Sequence, residues 1–416
     1  MPLLNARPQS PVAFLLTASP LGQLGRADLA ETGFKLCVER SVDTGNLPIA
    51  VTACIEMREL GMDSNAELDL VAGAFALGSP RLSGDRMAPP ALPGRAEELE
   101  PLLDSLGGAR LVAEAERALK RAQQTGKAET TRVRLAPQPL FSSLRFRALR
   151  ALSAIFELYR AAKGESVIKE GSTGEHAYVV ARGELEVIRT GPTSGRTPGS
   201  GQMLARLGSG ALFGEMALLS RAPRAASVIA VRPSLLLVAG KPALDQLAAQ
   251  EPEVGRVFAE HCRRRMLENL LRTSAILQVV SRREQSALMA RFVPRSFEPS
   301  EKIIEQGQES DGLHLLASGE VKVMHHSDAD TTLVSKLGAG EVVGEIALVL
   351  RRPATADVVA AQPTITMHLP RDRFLDLIRS HPKLLTELYD LAVQRDQEIS
   401  SVIAQQATQV DESVLV

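Results

Sequence analysis

The stretch Phe213-Gly214-Glu215-Met216-Ala217-Leu218-Leu219-Ser220-Arg221-Ala222-Pro223-Arg224-Ala225-Ala226-Ser227 decides how the rest of the chain is read. Glycine at 214 has no Cβ, so the backbone there can come close to another molecule. The run from Glu215 to Ser220 is long enough for one short helix, and the first amides of a helix have no internal partners and favour an anion. Arg224 follows Glu215 by nine residues. Its planar, permanently charged guanidinium makes charge-assisted bonds to phosphate oxygens. A carboxylate beside a phosphate would repel it, so Glu215 reads as an acceptor for a ribose hydroxyl. The combination suits a small cyclic phosphate.

On either side the chain breaks into short β-type runs punctuated by glycine. Gly164–Ile168, His176–Val180 and Gly183–Ile188 come before the cassette, and a strand pair through Val228–Val238 follows it. Their period-two alternation argues half-buried strands. Gly191–Gly201 reads as a hairpin loop, and Tyr178 reads as a core residue rather than a base-stacking group. The whole arrangement recurs. Gly171 and Gly183 return as Gly307 and Gly319 with the same separation of 12, Leu207-Gly208-Ser209-Gly210 as Leu337-Gly338-Ala339-Gly340, and Gly214-Glu215 as Gly344-Glu345. Gly183 to Gly214 spans 31 positions and Gly319 to Gly344 only 25, a difference that fits the extra hairpin loop in the first copy. The pattern is a tandem duplication.

These motifs resemble the phosphate-binding cassette of cyclic-nucleotide-binding domains, such as those of cAMP-dependent protein kinase regulatory subunits and catabolite activator proteins. The resemblance covers about residues 141–390. It implies that Gly214, Glu215, Met216, Ala217, Arg224 and Ala225 hold the nucleotide. Ala225 matches the cAMP-preferring pattern, since cGMP-preferring relatives carry threonine there. Relatives of this fold also sense cyclic dinucleotides or bind nothing.

The second cassette departs from the pattern. Nine residues after Glu345 stands Ala354, so the phosphate arginine is missing, and Arg351 and Arg352 lie two or three residues earlier. A lost charge-assisted bond to phosphate costs on the order of 1.5–3 kcal/mol. The doubtful second site, Gly344 and Glu345 with Arg351 or Arg352 as substitutes, is therefore expected to be structural or altered in ligand.

The 416 residues carry 48 basic and 49 acidic side chains, a net charge of -1 that offers no field for a nucleic acid or an anionic membrane. Three cysteines, Cys37, Cys54 and Cys262, lack metal-ligand spacing and read as buried free thiols in a reducing compartment. No window approaches the 18 uncharged apolar residues of a spanning helix, and Val12–Leu16 is too short and too weakly preceded by positive charge for a signal segment. A cytoplasmic location is expected. Seven scattered histidines, with His325 and His326 placed in a loop, read as surface residues, and no metal site is expected.

Residues 28–78 show helical spacing broken by Asp43-Thr44-Gly45-Asn46 and Gly61-Met62-Asp63-Ser64-Asn65, which predicts three helices. Gly45 and Gly78 are 33 residues apart, which resembles a tetratricopeptide repeat, although a plain helical bundle accounts for the pattern equally well. Residues 1–27 are expected to be flexible or partly helical, 79–95 a Pro/Gly-rich linker, and 96–137 a helical connector whose Gln123–Pro137 end is polar. The domains proper are expected at 141–272 and 273–406, the latter ending in helices over Arg371–Ile378 and Lys383–Gln406, with a tail at 407–416.

The expected fold is α+β: an all-α N-terminal region followed by two antiparallel β-rolls with flanking helices. The residues after the second cassette are too few for a winged helix-turn-helix, and no catalytic motif is visible. Arg351-Arg352-Pro353-Ala354 matches a kinase-inhibitor string but sits inside a cassette, whereas the connector before the first roll has none. The expected function is a non-enzymatic, cyclic-nucleotide-sensing regulator, with cAMP as ligand and no cofactor, acting on a protein partner through its helices. The alternatives are a non-sensing scaffold and a sensor of another ligand such as a cyclic dinucleotide. Arg256–Arg272 reads as a helix joining the two copies, with Met266, Leu267 and Leu270 as an apolar lid over the nucleotide.

Overall fold

The computed structural model describes residues 10–83, 108–125, 134–189, 201–219, 223–278, 280–281, 284, 288, 290–327 and 330–414. The chain divides into two compact units. The first comprises Met1–Glu170, Glu175–Glu215 and Ala226–His261, and the second Gly171–Gly174, Met216–Ala225 and Cys262–Val416.

In the first unit, α1 (Pro11–Gln23), α2 (Ala27–Asp43), α3 (Leu47–Glu59) and α4 (Asn65–Phe75) follow one another through short turns. Gly25, Gly45 and Gly61 close those turns at φ of 73°, 75° and 75°, a region that favours glycine. Asn46 starts α3 by accepting the Ile49 amide at 3.2 Å, with Pro48 in the first turn. Every residue of α3 from Leu47 to Met57 is buried. The three expected helices are α2–α4, and α1 is an addition. Its apolar run buries Phe14, Leu15, Ala18 and Leu21, so residues from Pro11 onward are ordered. Of the expected linker, Ser79–Ser83 is described and Leu82 bridges Leu135, while 84–95 lies outside the described residues. Of the connector, 96–107 and 126–133 lie outside as well, and α5 (Gly108–Thr125) is helical.

The helices pack on the first roll within this unit. Glu56 on α3 pairs with Arg160 at 3.0 Å, and Arg58 donates to the Phe156 carbonyl at 3.0 Å. After α6 (Phe146–Ile155), the roll consists of β1 (Glu157–Ala161), β2 (Ser166–Ile168), β3 (His176–Arg182), β4 (Leu185–Arg189), β5 (Gln202–Leu207), β6 (Leu212–Phe213), β7 (Ser227–Ala230) and β8 (Ser234–Gly240), while the short α7 (Met216–Leu219) between β6 and β7 belongs to the second unit. The sheets run β1-β8-β3-β6 and β2-β7-β4-β5. Ile168, Val180, Leu185, Phe213, Val228 and Leu236 fill the space between them. The hairpin loop expected at Gly191–Gly201 falls on residues of which only Gly201 is described. α8 (Lys241–Gln250) and α9 (Pro252–Thr273) follow, and the unit boundary falls within α9, between His261 and Cys262.

The second unit repeats the roll after the short α10 (Ala275–Gln278). Its strands are β9 (Val293–Phe297), β10 (Lys302–Ile304), β11 (Gly312–Ser318), β12 (Glu320–His326), β13 (Thr331–Gly338), β14 (Val342–Val343), β15 (Asp357–Ala360) and β16 (Thr364–Pro370), with α11 (Glu345–Val349) after β14. Sheet orders β9-β16-β11-β14 and β10-β15-β12-β13 reproduce the first roll strand for strand. α12 (Arg371–Ser380) and α13 (Pro382–Val414) complete it, and α13 extends through most of the expected tail. No helix among the described residues is long and apolar enough to cross a membrane.

Candidate functional site

The sequence decides the first cassette's backbone. β6 pairs with β3 through Tyr178↔Phe213 and Val179↔Leu212 and so delivers the chain to Gly214, which turns at φ 76°. α7 then forms over Met216–Leu219, shorter than the expected Glu215–Ser220 helix. Downstream, the Arg224 amide donates to the Ser172 carbonyl and the Gly171 amide donates to the Arg224 carbonyl, both at 2.8 Å. This two-bond ladder fixes where the arginine side chain begins. Glu215 and Arg224 are 3% and 9% exposed, well below what is usual for charged residues. The guanidinium lies on the bare Cα of Gly174. A Cβ at residue 174 would stand 2.7 Å from Nη2 and 3.0 Å from Nε of Arg224. Sequence reasoning missed Gly174, although it can be found by aligning the two copies on Gly171 and Gly307.

The second cassette keeps the frame and changes the chemistry. Gly344 turns at φ 91°, the Ala354 amide donates to Gln308 at 2.9 Å, and the Gly307 amide donates to Ala354 at 2.8 Å. The ladder is therefore built without an arginine. Opposite it, the position of Gly174 carries Ser310, which is buried and donates to the Gly312 carbonyl at 2.7 Å. Glycine accompanies arginine in one copy, and serine accompanies alanine in the other.

A cavity of about 300 Å³ lies at this second cassette, lined by Gly344, Glu345, Ala354, Leu391, Arg395 and Ile399 among others. Neither Arg351 nor Arg352 lines it. Arg352 pairs with Asp396, and Arg351 is exposed at φ 51°. The idea that one of them reaches the pocket is corrected: the arginine that enters comes from α13. Arg395 donates to Glu345 Oε1 at 2.8 Å, to Glu341 Oε1 at 3.3 Å and to the Val342 carbonyl. Burial pushes the Glu345 carboxyl above the usual carboxylate range, against the pull of Arg395. Sequence reasoning missed Arg395 too. Its signal is an interruption, because it falls in the stripe Leu384, Leu388, Ala392, Ile399 of buried residues on α13.

The remaining site residues are dispersed. Ala225 is exposed, Ala217 lies on α7, and Met216 packs against the apolar core of the second unit. Met266, Leu267 and Leu270 belong to that same core, together with Leu277, Phe374 and Leu388. Their apolar spacing is spent on core packing rather than on a free lid, which corrects that reading. Tyr178 stacks on Phe213 at 5.1 Å, as a core residue does. Two histidine expectations fail. His325 and His326 lie on β12, where His326 meets Asp357 at 2.9 Å, and His314 and His368 are fully buried on apolar strands.

Residues 159–251 and 294–381 both match the family model of the cyclic nucleotide-binding domain, so the chain carries two domains of that family. It is also homologous to regulatory subunits of cAMP-dependent protein kinase. It is 31% identical to the regulatory subunit of Colletotrichum orbiculare over 55% of this chain and 56% of that protein. It is 30% identical to the type II regulatory subunit of Drosophila melanogaster over 61% of this chain and 60% of that protein. The regulatory domain of Toxoplasma gondii PKA, solved with cAMP, is 26% identical over 61% of this chain and 92% of that one, at a TM-score of 0.30. The chain spans less than two thirds of the length of the curated relatives it matches.

Proposed function

We propose that this chain is a non-enzymatic regulatory protein that senses a cyclic nucleotide, cAMP by preference, in its first roll alone. One observation carries the reading. Arg224 is buried on a backbone ladder with Gly174 cleared of any side chain beneath its guanidinium, whereas the same ladder in the second copy presents Ala354 and Ser310. Arg224 supplies charge-assisted bonds to the phosphate, Glu215 accepts from the ribose 2′-hydroxyl, and Gly214 admits the ligand to the backbone. Ala225 stands in place of the threonine that would favour guanine. In the second roll Arg395, from the α13 wall of the cavity, takes the carboxylate that a ribose would need.

The names of the relatives suggest a kinase catalytic subunit as the protein partner. The inhibitor-like string around Arg351 and Arg352 is an unsuitable contact for it, since Arg352 is engaged by Asp396. The N-terminal helices are the better candidate surface, and a cytoplasmic location fits such a partner. Equilibrium binding of labelled cAMP, cGMP and cyclic di-GMP to the purified chain tests the ligand assignment. Tightest binding is expected for cAMP. A preference for the dinucleotide would replace the ligand, and no binding by any of the three would leave a scaffold.

A further inference from the structure

We infer that the second roll holds a transition-metal site of the zinc class, formed by Asp311, His314 and His368, away from either cassette. His314 on β11 stands directly opposite His368 on β16, with ring centroids 4.4 Å apart. The two side chains are 0% and 3% exposed. Asp311, one residue before β11, points its Oδ1 at both rings, 3.2 Å from Nε2 of His314 and 3.3 Å from Nε2 of His368. All three ligand atoms lie within 4.8 Å of one another.

The two separations from Asp311 are close to those a metal would set. Zinc binds histidine nitrogen and carboxylate oxygen at about 2.0–2.2 Å, so neighbouring ligands in a tetrahedron stand roughly 3.3–3.6 Å apart. Hydrogen bonding explains only one of the two rings, since Nε2 of His314 is hydrogen-bonded to Asp311 Oδ1 at 3.2 Å. Nε2 of His368 is buried and makes no hydrogen bond, although a carboxylate oxygen is close by. A metal would use the lone pair that is left.

The surroundings orient the ligands as they do in metal proteins. Nδ1 of His314 meets the Thr366 hydroxyl at 3.1 Å, which frees Nε2 to face inward when that nitrogen carries the proton. Arg295 donates to the other carboxylate oxygen of Asp311 at 2.7 Å and fixes its rotation. Asp311 is half exposed, so the cluster is reachable from solvent, and three protein ligands leave a fourth position for water. The fold itself does not require this chemistry. In the first roll the corresponding residues are Glu175, Tyr178 and Val238, with Tyr178 opposite Val238 in the same register.

The test uses the untagged full-length chain, stripped with chelator and titrated with Co2+ and Zn2+. One Co2+ per chain is expected, with the intense visible bands of a tetrahedral nitrogen and oxygen site, displaced by Zn2+. Asp311→Asn should weaken Zn2+ binding at least about tenfold while leaving circular dichroism unchanged, and Thr366→Val should weaken it about 10–100-fold. The double variant His314→Tyr, His368→Val borrows the first roll's residues and should fold without binding. Zn2+ should raise the melting temperature of the wild type and not of the double variant. Absence of tetrahedral cobalt bands in the wild type, or equal Zn2+ affinity in wild type and double variant, would overturn the assignment.

Discussion

Gly174 and Arg224 act as a pair, because the arginine lies flat where a side chain at 174 would be. Gly174→Ala would place a methyl group against the end of a flexible side chain, which can move aside at little cost to folding. The guanidinium would leave its position, however. The expected result is stability within about 0.5–1 kcal/mol of wild type, with cAMP affinity reduced several-fold in a binding titration. A change in stability without a change in affinity would show that Arg224 serves the fold alone. At the equivalent of Ser227, the second copy has Asp357, whose Oδ1 accepts the Gln306 amide at 2.7 Å. Burial favours the neutral acid there, but Gln306, Lys302 and His326 together prevail and hold the carboxyl below its ordinary 3.8. Stability from a depressed carboxyl is full above the unfolded value and is lost as pH falls through the folded one. Asp357→Ala should therefore cost about 1–3 kcal/mol in urea denaturation at pH 7, and the gap to wild type should close below about pH 4. A gap independent of pH would contradict the assignment. Cys37, Cys54 and Cys262 are all buried, and burial pushes the Cys37 thiol up to about 12. Native protein should leave a thiol reagent nearly unreacted, and denatured protein should react at all three sites.

Among the elements, α13 has a role that its length alone does not convey. It inserts Arg395 between Glu341 and Glu345, and Glu345 is otherwise sealed from water. Arg395→Ala leaves a buried carboxylate without its partner, which costs about 3–5 kcal/mol. Because the folded carboxyl is raised above 4.5, Glu345 favours folding when protonated, so this cost should shrink as pH is lowered through the folded value. Thermal melts at pH 7 and pH 5, with Arg395→Ala/Glu345→Gln as the rescue, check it. A loss equal at both pH values would mean that Arg395 acts through packing. The strands and their repeat were legible in the sequence because glycine spacing and period-two alternation are local signals. Gly171 with Gly183 and Gly307 with Gly319 mark equivalent turns in the two rolls. Arg395, Gly174 and the pair His314–His368 were not legible, because each acquires its meaning from a partner distant in sequence. Arg395 lies 50 residues from Glu345, and His314 lies 54 from His368. The misreading of Met266, Leu267 and Leu270 has a related origin, since an apolar helix face does not say which core it enters.

At the scale of the whole molecule, the duplication leaves one roll equipped for a phosphate and the other with its cassette glutamate engaged by an arginine of α13. α9 runs through the boundary of the two units, and Met216 from the first cassette packs against the core that contains Met266 and Leu270. Occupancy of the first cassette is thus expected to alter the protection of α9, provided that the nucleotide favours one arrangement by a few kcal/mol. Hydrogen exchange with and without cAMP should show added protection at Gly214–Ser227 and along Pro252–Thr273. Protection limited to the cassette would make binding mechanically silent. The central claim, that one roll binds and the other does not, is tested most directly by calorimetric titration of the full chain with cAMP. One site per chain is predicted for the wild type, and Arg224→Ala, with an unchanged circular dichroism spectrum, should bind at least about tenfold more weakly. Two equivalent sites, or an Arg224→Ala titration indistinguishable from wild type, would contradict it.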